Sequence, residues 1–172
     1  MASQNTFFYK NKVNGFSLVE MLVYIAVLVI VAAGALTLVF SLGGKFQQQR
    51  ADQLVTKSAQ GALEHMLSSI RTADSVGVSS TLISSPGVLT LNAAATTTAY
   101  SLSSGTVVYS INSVAKGPIT DNKVSVSELR FFLHDNTTTQ LVRIELTLTA
   151  QVGAARVTKT FYAGATLRGS YD

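Results

Sequence analysis

The sequence predicts an α+β fold: a long N-terminal helix, apolar in its first half and amphipathic in its second, packed against a C-terminal antiparallel β-sheet head. Three observations predict it. Met21 to Gly44 is a run of 24 residues without a charge, dominated by Leu, Val, Ile and Ala. Apolar residues then recur at steps of three and one from Ala51 to Ala73. Further on, Val142, Ile144, Leu146, Leu148 and Ala150 alternate strictly with Arg143, Glu145, Thr147, Thr149 and Gln151. The first run exceeds the roughly 20 residues a helix needs to cross a bilayer, the second is a one-sided helical stripe, and the third has the period of a half-buried strand.

Composition agrees. The 172 residues suffice for one domain of ordinary size with an appendage, 47% are apolar, and only 13% are charged, against about 25% in an average soluble domain. Disorder is excluded by that apolar content. There is no Cys, which excludes disulfides, thiolate zinc sites, iron–sulfur clusters and cysteine nucleophiles without fixing a compartment. Two histidines, His65 and His134, leave little for metal or acid–base chemistry.

The apolar run reads as a membrane segment. A buried core helix would show a polar stripe and stop sooner. Lys10 and Lys12 precede it and no acidic residue comes before Glu20, so the N-terminus is expected in the cytoplasm and the C-terminal part outside. Ala32-Ala33-Gly34-Ala35 imitates a signal-peptide cleavage site, but the run continues through Leu36, Leu38, Val39, Phe40 and Leu42, which predicts retention. Glu20 is the single carboxylate near this stretch, and an ionised group close to the bilayer interior requires a partner. Locally, Ser17-Leu18-Val19-Glu20 has the S-x-x-E spacing of a capping box, which satisfies helix N-terminal amides within the chain.

The junction Lys12-Val13-Asn14-Gly15-Phe16-Ser17-Leu18-Val19-Glu20-Met21-Leu22-Val23 resembles the type III leader junction of the type IV pilin and type II secretion pseudopilin superfamily. The resemblance lies in a short basic leader ending in Gly, then Phe, then Glu at the fifth mature position. It implies cleavage between Gly15 and Phe16 by a prepilin peptidase, followed by N-methylation of Phe16. A residue without Cβ allows the extended backbone and close approach such a peptidase needs. Cleavage would free the α-amino group of Phe16, one turn from Glu20 on the same helix face. In the family, the Glu of an incoming subunit pairs with the terminal amine of a neighbour, which sets axial register. Both roles of Glu20, cap and assembly charge, remain compatible. The implied organisation is a leader over 1–15, a transmembrane and filament-core helix over 16–44, an amphipathic helix over 45–75 and a β-rich extracytoplasmic head over 76–172.

In the amphipathic half, Ala51, Leu54, Val55, Ser58, Ala59, Ala62, Leu63, Met66, Leu67, Ile70 and Ala73 share one face. Helix from Phe16 to about Asp74 would measure roughly 90 Å. Gly43-Gly44 marks an expected weak point, a bend or melted turn, since each Gly costs about 1 kcal/mol relative to Ala. From Val76 onward, strands are expected at Val88–Asn92, Ala99–Leu102, Thr106–Asn112, Val124–Leu133, Val142–Gln151 and Val157–Ala163. The apolar phase slips at Glu128, predicting a bulge or break there. Ser103-Ser104-Gly105, Lys116-Gly117-Pro118 and Asn136-Thr137-Thr138 are expected turns. One antiparallel sheet is expected to cover the stripe from Leu54 to Ile70. The closing segments, 124–132, 141–149 and Lys159-Thr160-Phe161-Tyr162 with Leu167-Arg168-Gly169, and the hairpin over 100–109, resemble J-type minor pseudopilins and W-type minor pilins.

No catalytic constellation emerges. His65 beside the stripe and His134 next to Asp135 read as boundary or surface residues, no G-x-S-x-G or S-x-x-K occurs, and no enzyme activity, cofactor or metal is expected. Asp121, Asn122, Glu128 and Asp135 lack the spacing of a calcium loop. Asn136-Thr137-Thr138 is a formal glycosylation sequon. The sequence pI near 9.5 invites a nucleic-acid partner. Without Lys10 and Lys12, however, the 13 Lys and Arg against 9 Asp and Glu become 11 against 9, and they form no cluster. The strand aromatics Tyr100, Tyr109, Phe131, Phe132, Phe161 and Tyr162 have core packing as their first explanation. The expected partners are therefore other pilin or pseudopilin subunits, prepilin peptidase and, before assembly, membrane lipid. The expected location is the cytoplasmic membrane and then a surface filament. The rival is a single-pass anchored domain that binds a ligand and never polymerises.

Overall fold

The computed structural model describes residues 17–136 and 139–168. The chain divides into two compact units, residues 1–42 and 43–172. A single helix, α1 (Leu18–Thr72), contributes to both. Gly43 and Gly44 keep helical hydrogen bonding, so the melted turn expected there does not form. Alanine-, leucine- and glutamine-rich turns on either side carry the propensity cost of the two glycines. The helix ends at Thr72, whose hydroxyl donates to Ser68 O and Ser69 O, and Asp74 N turns away to Asn92 O at 2.8 Å.

In the first unit every described residue from 17 to 41 is exposed. In the second unit the helical stripe is covered as its spacing requires. Ala51, Val55, Ala59, Ala62, Met66 and Ile70 are fully buried, whereas Arg50, Gln53, Lys57, Gln60, Glu64 and Arg71 face solvent. Each buried Val, Met or Ile removes apolar surface worth about 1.5–3 kcal/mol.

Two antiparallel sheets, where one was expected, complete the head. The first has the order β1 (Ser75–Val76), β2 (Leu89–Ala93), β3 (Thr96–Ser103), β4 (Thr106–Ile111) and β5 (Val114–Pro118); the second has the order β6 (Val124–Asn136), β7 (Thr139–Val152) and β8 (Ala155–Thr166). Ile119–Lys123 leaves the first sheet, with Ile119 N on Val107 O and Thr120 Oγ1 accepting from Val107 N, before β6 starts the second. Leu89, Leu91, Tyr100 and Val107 of one sheet and Leu129, Phe131, Ile144, Leu146 and Leu148 of the other join the helix stripe in one core.

The phase slip foreseen at Glu128 is a bulge: Val126 pairs with Leu148 and Glu128 with Thr147, leaving Ser127 unpaired. That extra residue returns Leu129 and Phe131 to the buried face. Lys116-Gly117-Pro118 is not a turn. Tyr109 pairs with Gly117 and Ser110 with Ala115, so Lys116 is the extra residue of a second bulge, and Gly117 takes φ +115 there. A glycine serving a bulge looks like a turn signal in sequence. The turn lies instead at Asn112-Ser113, both with positive φ. The β2–β3 turn at Ala94-Ala95 carries no turn residues at all. It is held from 20 positions away, Ala94 N donating to Asp74 Oδ2 at 2.6 Å.

Candidate processing and assembly site

The site singled out in the sequence lies where α1 begins. Lys10, Lys12, Gly15 and Phe16 fall outside the described residues. The helix opens with Met21 N donating to Ser17 O at 3.2 Å, which makes Ser17 the N-cap. Glu20 stands in the first turn, exposed, where its negative charge meets the positive end of the helix dipole. Among the described residues neither the Ser17 hydroxyl nor the Glu20 carboxylate makes a hydrogen bond, so the reciprocal capping box the sequence allows is not formed.

From Met21 to Gly44 the helix carries no charge and is apolar all round. Its most hydrophobic window has a mean hydropathy of 2.8, and it is the one helix among the described residues long and apolar enough to cross a membrane. Leu18, Leu28, Ile30, Leu38 and Phe40 are each at least 67% exposed. Sixteen large apolar side chains stand exposed between Leu18 and Phe40, and at about 1.5–3 kcal/mol each the cost of leaving this surface in water is on the order of 30 kcal/mol. Lipid or other helices must cover it, and no face is reserved for water. Thr37 does not break the pattern, because its hydroxyl donates to Ala33 O at 2.9 Å within the helix.

Other candidates are dispersed over the head. His65, read as a boundary residue, belongs to a polar cluster. Its Nδ1 shares a hydrogen bond with the Tyr100 hydroxyl at 2.9 Å, Ser69 Oγ shares another at 2.7 Å, and the His65 ring lies 4.7 Å from that of Tyr109. The spacing of His65 and Ser69, four residues on one helix face, was the available signal. Burial pushes the Tyr100 phenol above its ordinary value, the Ser69 hydrogen bond opposing and the neighbouring Tyr109 adding to the rise. Because the folded state holds this proton longer than the unfolded chain, which releases it near pH 10, stability should be constant below that pH and fall as pH rises through the folded value. Tyr100→Phe should lose about 1–3 kcal/mol at pH 8 from the unpaired His65 and Ser69, and a smaller further loss by pH 11 than the parent chain. Denaturant unfolding of the full chain in detergent at both pH values measures this; equal alkaline losses would refute it.

His134 is exposed at the end of β6. The oxygen-bearing residues considered for calcium are engaged separately: Asp121 Oδ1 accepts from Lys123 N, Glu128 pairs with Arg130, and Asp135 accepts from Gln140. Of the strand aromatics, Tyr100 and Phe131 are fully buried, but Tyr162 is 61% exposed, contrary to a core role. The Arg143 guanidinium lies over both the Tyr162 ring and that of Phe132, 5.4 Å and 5.3 Å from the respective centroids.

Residues 10–36 match a family model described as the prokaryotic N-terminal methylation motif. That span contains the basic residues, the Gly15-Phe16 junction, Glu20 and the first part of α1, and such a motif supports a type IV pilin-like precursor of the kind processed by prepilin peptidase. No curated protein and no solved structure matches the chain.

Proposed function

We propose that this protein is a minor pilin or pseudopilin. Prepilin peptidase cuts it between Gly15 and Phe16, the new terminus is methylated, and the product is stored in the cytoplasmic membrane and built into a filament with other subunits. The methylation motif over 10–36 carries this reading, because it is continuous with a helix whose every face demands apolar cover. Residues 16–44 supply that helix to lipid and then to the filament core. Glu20 supplies the charge that pairs with a neighbour's terminal amine, and the absence of an ion-pair partner for it among the described residues supports that role. The β head is the surface offered to companion subunits or cargo. Its activity is polymerisation, without a cofactor.

Mass spectrometry of the protein recovered from membranes tests this. Loss of residues 1–15 and one added methyl group on Phe16 are expected. An intact N-terminus would leave the anchored, unpolymerised domain as the account of the chain.

A further inference from the structure

The two sheets have four edges, and the chain closes or blunts three of them. At β6, Ile83 N donates to Phe131 O and Gly87 N to Leu129 O, both at 2.8 Å, while Val126 N donates to Gly105 O at 2.7 Å. At the ends of the other sheet, β1 has two residues, and β5 has five with a bulge and a terminal proline. These are the devices by which proteins keep edges from pairing. The fourth edge, β8, is neither covered, short, bulged nor interrupted by proline. It runs for 12 residues without proline or bulge, and among the described residues its backbone from Arg156 to Ala165 bonds to β7 alone.

The register fixes which groups face outward. Gly153-Ala154 joins β7 to β8 as a two-residue loop, with Gly153 at φ +59 and Val152 opposite Ala155. Such a loop closes on a hydrogen-bonded pair, and pairs then alternate. Val157, Lys159, Phe161 and Ala163 therefore bond to β7, while the N–H and C=O groups of Arg156, Thr158, Thr160 and Tyr162 point to the open side. The side chains agree: Thr158 and Thr160 reach Thr149 and Thr147 through hydroxyl contacts of 2.8 and 2.9 Å, as the closer, non-hydrogen-bonded pairs allow.

We propose that β8 is a docking edge that takes an extended strand from the head of a different subunit of the same assembly. This rests on the pilin-like function proposed above. A second copy does not fit the requirement, because among the described residues there is no other long open edge, and a β8–β8 pair would be isologous and close after two copies. The recess beside the edge sets the chemistry of the occupant. A cleft of about 350 Å³ is lined by Lys45, Gln48, Gln49 and Asp52 of α1 and by Val157 and Lys159 of β8. Lys159 is ion-paired with Asp52. Lys45 in the cleft and Arg156 on the outer face have no carboxylate at ion-pair distance among the described residues. The incoming strand is thus β-prone, with amide or acidic side chains turned toward the cleft.

The test uses the full chain in its own membrane. A benzophenone amino acid replaces Thr158, Thr160 or Tyr162 in turn, with Leu38 as a control within the apolar helix, and adducts formed on irradiation are mapped by mass spectrometry. The three positions should join residues spaced two apart in one segment of a different subunit. Thr160→Pro, which removes an outward N–H and spares the bonds to β7, should cut the yields at 158 and 162 about tenfold, the equivalent of one backbone hydrogen bond. Should that variant fold poorly, hydrogen exchange of the parent decides: the amides of Thr158, Thr160 and Tyr162 should exchange fast in the purified chain and slowly in assembled material. Adducts to β8 of another copy, adducts without the spacing of two, or none at β8 while Leu38 crosslinks would each overturn the docking edge alone. Failure at Leu38 as well would overturn the assembly on which it rests.

Discussion

Gly15→Trp is expected to abolish processing: the precursor should accumulate at full length in membranes that contain prepilin peptidase, with cleavage slowed by about a hundredfold or more. The proposed scissile bond, between Gly15 and Phe16, follows the basic residues Lys10 and Lys12 in sequence and precedes the bulk of Phe16. A protease must bring its catalytic groups to within bonding distance of that carbonyl, and misplacement by about 1 Å already costs on the order of a hundredfold. An indole on the preceding Cα blocks the approach that a hydrogen there permits. The substitution precedes α1 and the head residues in sequence, so membrane insertion and head folding should persist, as protease protection of the head would show. Normal cleavage of the variant would place the processing site elsewhere.

Glu20→Leu is expected to separate processing from assembly. The variant should be cut and should enter the membrane at least as readily as the parent, because it exchanges a carboxylate for an apolar side chain near the bilayer. Incorporation into filaments should fall by at least about a hundredfold, since the terminal amine of the neighbour would be left charged in an apolar core with no counter-ion. Shearing and immunoblotting of assembled material measures it. Glu20→Asp, one methylene shorter, should recover part of the loss, which a purely helix-capping role at Ser17 would not require. Unimpaired incorporation of Glu20→Leu would reduce Glu20 to a favourable charge at a helix start.

Several elements of the head show why the sequence was readable in parts. The stripe from Ala51 to Ala73 and the alternation from Val142 to Gln151 are legible because one face of each element is buried and the other wet, which imposes a period. The slip at Glu128 was legible for the same reason, as a bulge must shift that period by one residue. The β5 strand was missed because it is exposed along most of its length and so carries no alternation, and its glycine and proline imitate a turn. The Ala94-Ala95 turn was missed because a distant carboxylate holds it. His65 is half-buried, at the boundary where its sequence position put it, but nothing local announces that Tyr100, 35 residues away, meets it.

The sequence by itself determined what depends on covalent order and on periodicity: the leader, the carboxylate one turn into an apolar helix, the stripe behind it and the longest strands. Neighbours along the chain suffice to define those features. Only the tertiary structure decided that the head divides into two sheets, that the Tyr100 phenol is buried against His65 and Ser69, and that, among the described residues, β8 keeps an uncovered edge. Each of these turns on which distant segment takes up a backbone or side-chain hydrogen bond, and a residue's own neighbours carry no record of that partner.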